Sequence, residues 1–104
     1  MALELNKTFD GARDAWIIKP VGDIDIYSAP TFKQELIDMI DQEQKDIVID
    51  GTQLDYIDST GLGVLISGLK KIKESNKDIY LENIKPNINK LFDITGLNNV
   101  FIIQ

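Results

Sequence analysis

The sequence predicts an α/β fold in which helices pack on a small, mostly parallel β-sheet that opens with an antiparallel hairpin. Two observations predict it. Apolar residues alternate between strand-like and helix-like spacing along the 104 residues, and strands separated by helices of this length are typical of right-handed crossovers. Because neither a low-complexity linker nor an internal repeat interrupts this pattern, we expect residues 1–104 to form a single domain.

The predicted elements follow one another closely along the chain. They are strands at 3–9 and 15–18, a helix at 32–40, a strand at 46–50, a helix at 62–72, a strand at 79–83, a short helix at 86–95 and a last strand at 100–103. Ser28 is the expected N-cap of the first helix, with Pro30 in its first turn. Gly96 is the expected C-cap of the third helix.

Acidic residues follow two of the predicted parallel strands. Since ligand sites of open α/β sheets form at the carboxyl ends of the strands, we expect the loop at 22–27 to meet the loop at 52–58 and the start of the second helix. These segments carry Asp23, Asp25, Asp55 and Asp58. The functional surface is therefore predicted at this edge of the sheet.

Composition excludes several classes of function. A net charge of −6 argues against nucleic acid and anionic membranes as partners, and no apolar run reaches the about 20 residues that span a bilayer. Without histidine, neither a Ser-His-Asp triad nor a histidine zinc site can form. Without cysteine, a cytoplasmic location fits. We expect no metal site, no cofactor and no enzymatic activity.

The stretch YIDSTGLGVL at 56–65 places a hydroxyl pair and two glycines where a polar turn runs into a helix. Each glycine in a helix interior costs about 1 kcal/mol relative to alanine, so something is expected to approach this backbone closely. Nucleotide-binding fingerprints do not fit. Ile66 stands where the dinucleotide motif needs a small residue, and Leu69 follows Gly68 where a phosphate loop needs lysine.

The residues alone leave two interpretations of this stretch open. In the first, Asp58 or Ser59 caps the helix and the glycines allow close packing. In the second, Ser59 is an exposed phosphate acceptor at the positive end of the helix. Leu62, between the two glycines, is either an exposed apolar anchor for a partner or an ordinary core residue of the apolar stripe that continues at Leu65, Ile66, Leu69 and Ile72.

Three separated segments resemble one bacterial family. YIDSTGLGVL, together with GDIDIYSAP at 22–30 and KLFDITGL at 90–97, is similar to the anti-sigma factor antagonists of the STAS fold, in particular their general-stress branch. The resemblance covers nearly the whole chain. It departs in one respect, because the family usually has a further C-terminal helix that has no counterpart before Gln104.

The resemblance implies a partner-switching function. Members bind an anti-sigma factor that is itself a serine kinase, and so release a sigma factor for transcription. The kinase inactivates them by phosphorylating the serine after the motif aspartate, and a metal-dependent serine phosphatase reverses this. That serine is Ser59 here. The partner-binding surface that the resemblance implies comprises Asp23, Asp25, Asp58, Ser59, Thr60, Gly61, Leu62 and Gly63.

Other classes of function remain open alternatives. The chain could be a STAS module that binds a small ligand or nucleotide, or a domain from a transporter or a stress-sensing assembly. An enzyme would have to rely on the carboxylates of Asp23, Asp25, Asp55 and Asp58. The phosphorylatable serine and the freestanding length favour the switch protein.

Overall fold

One long strand, β2, organises the sheet. The computed structural model describes residues 3–104, in which a six-stranded mixed sheet carries three α-helices. The elements are β1 (Glu4–Asp10), β2 (Ala15–Ile24), α1 (Ala29–Gln42), β3 (Asp46–Asp50), β4 (Leu54–Ile57), α2 (Ser59–Lys73), β5 (Ile79–Glu82), α3 (Pro86–Thr95), a 3-10 turn (Leu97–Asn99) and β6 (Ile102–Ile103). Only the β1–β2 pair is antiparallel, so the predicted mostly parallel α/β fold with an N-terminal hairpin is confirmed.

β2 pairs with three strands at once. It is antiparallel to β1, its first half is parallel to β3, and its last residues are parallel to β4. A short connection between β3 and β4 is held by the carboxylate of Asp50, which accepts hydrogen bonds from Thr52 N (3.0 Å) and the side-chain amide of Asn83 (3.2 Å). A Cβ atom at Gly51 would lie 2.7 Å from Ile84 Cδ1 and 3.2 Å from Asn83 O, so the chain after β5 passes close to this glycine.

The segment predicted as a loop at 52–58 therefore contains a strand, and that prediction is wrong. In β4 the two end residues, Leu54 and Ile57, are buried, while Asp55 and Tyr56 between them are exposed. This burial pattern has no period of two, which is the signal by which a half-buried strand is recognised in a sequence. β4 brings the chain alongside the end of β2 directly before α2 begins.

The three helices pack on the same face of the sheet. The crossovers from β2 to β3, from β4 to β5 and from β5 to β6 all run in the same direction along the strand order of the sheet. Because such crossovers are right-handed, their helices lie on one face of the sheet. The core between the helices and the sheet includes Ile18, Ile47, Ile49, Ile79, Leu81, Phe32, Leu36, Leu65, Leu69, Ile88 and Phe92. None of these helices is long and apolar enough to cross a membrane.

Two expectations about element ends are corrected. Ser28 stands at the N-cap position of α1, but its side chain makes no capping hydrogen bond. The last strand is shorter than predicted, because Phe101 is buried and packs edge-on against Phe92, with ring centroids 5.8 Å apart. Gly96 does close α3, with a left-handed φ of 77°, as predicted.

Two glycines at the start of α2 have different surroundings. A Cβ atom at Gly61 would lie 2.6 Å from Ile57 Cγ1 and 2.7 Å from Ile24 Cγ2, two stiff branched side chains of β4 and β2. A Cβ atom at Gly63 would meet nothing within 4 Å. The fold therefore needs glycine at 61, whereas at 63 the interior of the protein does not require it.

This contrast predicts opposite effects of one added methyl group. Gly61→Ala should lower the free energy of unfolding by about 1–3 kcal/mol because the site is overpacked. Gly63→Ala should raise it by up to about 1 kcal/mol because alanine favours the helix. Urea denaturation of both variants beside the wild type measures the two effects. A loss of stability in Gly63→Ala equal to that in Gly61→Ala would contradict this account of the two positions.

Candidate functional site

The start of α2 is fixed by Asp58. Its carboxylate accepts hydrogen bonds from Thr60 N (2.9 Å), Gly61 N (3.2 Å) and the hydroxyl of Thr60. Its backbone N–H donates to Ile24 O at 3.2 Å, which joins the helix start to the end of β2. The hydrogen bond from the Thr60 hydroxyl, with those from the backbone N–H groups, holds the pKa of Asp58 below its ordinary value. The cap is therefore an anion at neutral pH.

The hydroxyl pair is divided between two sides of the helix start. Thr60 donates its hydroxyl to Asp58 and lines a groove between α1 and α2. Ser59 is exposed and stands at the edge of another groove, between α2 and α3, with a volume of about 380 Å³. We call the latter the α2–α3 groove; its lining includes Tyr56, Ser59, Leu62, Asn87, Leu91 and Thr95. Of the two hydroxyls, only that of Thr60 donates to the cap, and within residues 3–104 the Ser59 hydroxyl has no hydrogen-bond partner.

The turn that follows β2 is closed by its own side chains. The carboxylate of Asp25 accepts hydrogen bonds from Tyr27 N (2.9 Å) and Ser28 N (3.0 Å). The Ser28 hydroxyl accepts from Asp25 N (2.9 Å) and donates to Asp23 O (2.8 Å). The hydrogen bond from Ser28 N–H, helped by that from Tyr27, lowers the pKa of Asp25. The result is a tight turn with an anionic centre.

The structure brings most of the predicted site residues together. In the β2–β4 register, Asp23 lies beside Tyr56 and Ile24 beside Ile57, so the turn after β2 adjoins the start of α2. Asp23, Asp25 and residues 58–63 therefore share one edge of the sheet, as predicted. Asp55 does not add free negative charge there, because its carboxylate forms an ion pair with Lys85.

The prediction of Leu62 as an exposed anchor is wrong. Only 6% of Leu62 is exposed, and its side chain lines the α2–α3 groove. Its backbone N–H donates to Asp58 O at 3.0 Å, so Leu62 lies one helical turn after the cap, on the side that faces the core. Gly61 is buried as well, between β2 and β4. Both residues therefore have little exposed surface, and their place in a partner-binding surface stays a prediction of the resemblance.

Sequence reasoning missed the exposed apolar residues of this edge. Ile26 and Tyr27, between Asp25 and Ser28, are 62% and 89% exposed. Both lie in the segment predicted as a loop at 22–27, where the resemblance implied only Asp23 and Asp25 as partner contacts. β2 extends into that segment as far as Ile24, so the loop begins later than predicted. The Asp25 turn follows and leaves Ile26 and Tyr27 exposed.

Known proteins share both the sequence pattern and the fold. A sequence profile of the STAS domain matches residues 6–104. An anti-sigma-B factor antagonist of Bacillus subtilis is 39% identical over 83 residues, which make up 80% of this chain and 75% of that relative. The crystal structure of a proposed anti-sigma factor antagonist of Thermotoga maritima has a TM-score of 0.88 and 23% identity, over 95% of this chain and 84% of that one. Bacillus SpoIIAA in its phosphorylated form has a TM-score of 0.71 and 20% identity, over 99% and 91%.

The cap at Asp58 predicts a pH dependence of stability. Its pKa is lower in the folded chain than in the unfolded chain, so the contribution is complete above the unfolded pKa of about 4 and is lost as the pH falls through the folded pKa. Asp58→Asn keeps a capping oxygen that does not titrate. Its melting temperature should therefore fall less steeply than that of the wild type below about pH 4.

Asp93→Asn serves as the control, since Asp93 is an exposed carboxylate outside the cap whose side chain has no ion pair or hydrogen bond within the described residues. The melting temperature of this variant should fall in parallel with that of the wild type. Thermal melts of the wild type and the two variants across the acidic range give the dependence of the melting temperature on pH. If Asp58→Asn and the wild type fall in parallel, the carboxylate of Asp58 does not stabilise the start of α2 in the way described.

Proposed function

Because the chain belongs to the STAS-domain family of anti-sigma factor antagonists, we propose that it binds an anti-sigma factor through the surface around Ser59. The anti-sigma factor is a serine kinase that phosphorylates Ser59 when the sigma factor is to be held inactive. A metal-dependent serine phosphatase removes the phosphate. The chain itself catalyses nothing and acts in the cytoplasm.

One observation carries the proposal. Ser59 is exposed at the rim of an apolar groove, while its neighbour Thr60 has its hydroxyl bound to the capping carboxylate of Asp58. A kinase needs a hydroxyl that can enter its active site without breaking the structure of its substrate. Ser59 meets this requirement, whereas phosphorylation of Thr60 would remove a donor from the cap.

A phosphate on Ser59 suits its own helix and obstructs a partner. It adds about −1.5 to −2 charges next to the anionic Asp58. The positive end of α2 tolerates this charge. A protein that covers the α2–α3 groove would instead have to strip water from a dianion at the rim. A 100-fold loss of affinity corresponds to only about 2.7 kcal/mol, which one badly placed, desolvated charge can supply.

The proposal is tested by capture from lysate of the source cells with three forms of the chain. The wild type and Ser59→Ala should retain an ATP-binding anti-sigma factor, identified by mass spectrometry, because both present a neutral groove rim. Ser59→Asp should not retain it. Equal capture by all three forms would show that Ser59 does not control binding.

The site of phosphorylation is a separate prediction. After incubation with the captured kinase and ATP, phosphopeptide mapping should place the phosphate on Ser59. Thr60→Ala is the matched control, since it removes the neighbouring hydroxyl and leaves Ser59 in place. It should still be phosphorylated, whereas Ser59→Ala should not. A label that disappears only in Thr60→Ala would reverse the assignment.

A further inference from the structure

Two large apolar side chains stand in solvent next to the switch serine. Tyr27 is 89% exposed, the highest value among the exposed large apolar residues of the described chain, and its neighbour Ile26 is 62% exposed. A large exposed apolar side chain contributes favourably to the free energy of binding when a partner buries it. Tyrosine is also among the residues that are enriched at binding hot spots. Their exposure has no explanation within the fold.

The turn holds these two side chains in a fixed place. Asp25 binds the backbone N–H groups of Tyr27 and Ser28, and the buried Ser28 hydroxyl connects Asp25 N with Asp23 O. A further backbone hydrogen bond runs from Ala29 N to Asp25 O at 2.7 Å. A partner that buries Ile26 and Tyr27 therefore loses little of its binding free energy in ordering the turn.

Ile26, the first residue of the exposed pair, adjoins the surface around Ser59. Ile26 is one wall of the groove between α1 and α2, whose other lining residues are Ala29, Pro30, Lys33, Thr60 and Val64. Thr60 connects this groove to Ser59 across the start of α2. Gly63, one helical turn after Ser59, is exposed and has open space around it, so another backbone can approach closely there.

We propose that Ile26 and Tyr27 form the apolar anchor with which this chain binds its anti-sigma factor, and that Asp25 and Ser28 are positioning residues that hold the anchor in place. The inference rests on the proposed function and places these two residues at the centre of the proposed interface. It replaces Leu62, which is buried, with residues that the structure exposes. It also changes the role of Asp25, whose carboxylate oxygen Oδ1 faces its own backbone rather than a partner.

The anchor is tested by titration with purified anti-sigma-B factor of Bacillus subtilis, the partner for which the 39% identical relative is named. Ile26→Ala and Tyr27→Ala should each weaken binding by about tenfold or more, as expected for a hot spot. Ile94→Ala is the matched control, because Ile94 is 71% exposed on α3 and lines neither groove. It should bind like the wild type, and the melting temperatures of all three should be unchanged.

The positioning role is tested at Asp25 with two substitutions. Asparagine can accept the same backbone hydrogen bonds without the charge, so Asp25→Asn should keep the affinity within about twofold. Asp25→Ala removes the acceptor and should weaken binding about as much as Tyr27→Ala. If Asp25→Asn loses as much affinity as Asp25→Ala, the charge itself contacts the partner and the positioning role is refuted.

The outcomes separate this inference from the proposed function. If Ser59→Asp abolishes binding but Ile26→Ala and Tyr27→Ala bind like the wild type, the anchor is refuted and the switch stands. An equal loss in Ile94→Ala would refute the anchor too, since the effect would not be local. If the wild type does not bind the anti-sigma factor, the proposed function fails and the anchor fails with it.

Discussion

The candidate site depends on one interaction, the capping of α2 by the carboxylate of Asp58. This group binds two backbone N–H groups and the Thr60 hydroxyl, while its own N–H is held by Ile24 O at the end of β2. The cap decides which of two adjacent hydroxyls is free, and it directs Ser59 to one groove and Thr60 to the other. It also connects the helix to the turn that carries Ile26 and Tyr27. The cap geometry therefore determines which side chains of this surface are exposed.

The glycines at the start of α2 show two separate constraints. Gly61 is required by the interior, because Ile24 and Ile57 occupy the space that a side chain would need. Gly63 is not required by the interior, and it lowers the helix propensity on an exposed face. A cost to the fold with no benefit inside it is understandable if a partner approaches the backbone there. Gly61 therefore serves packing, and under the proposed function Gly63 leaves room for the backbone of a partner.

Much of the fold could be predicted because its helices have regular apolar periodicity and its ends carry clear signals such as Gly96. β4 could not, because only Leu54 and Ile57 are buried, and their spacing of three residues is that of one helical turn and not that of a strand. Leu62 is a different case, because its spacing from Leu65, Leu69 and Ile72 is that of a buried helical face, and only the two glycines beside it suggested an exposed anchor. Periodicity was the better guide at Leu62, whereas at β4 tertiary contacts determine the conformation.

The exposed turn illustrates the same limit for the site. The resemblance of the sequence to the family implies Asp23 and Asp25 as partner contacts. In the structure Asp25 accepts hydrogen bonds from its own turn, and the apolar residues that follow it occupy the surface. Under the proposed anchor, Ile26 and Tyr27 take the contact role that the resemblance implied for Asp25. Which group faces outward is set by the turn's hydrogen bonds, and these cannot be read from residue types alone.

The central claim is that phosphorylation of Ser59 changes a surface and leaves the fold intact. Amide NMR spectra of the unmodified and phosphorylated chain test it most directly. The account predicts shift changes confined to residues 55–65 and the neighbouring turn at 22–27, with the rest of the spectrum superimposable and the melting temperature maintained. Widespread shift changes across α1, β3 and β5, or a large fall in melting temperature, would show that the switch acts through the fold and would contradict the account.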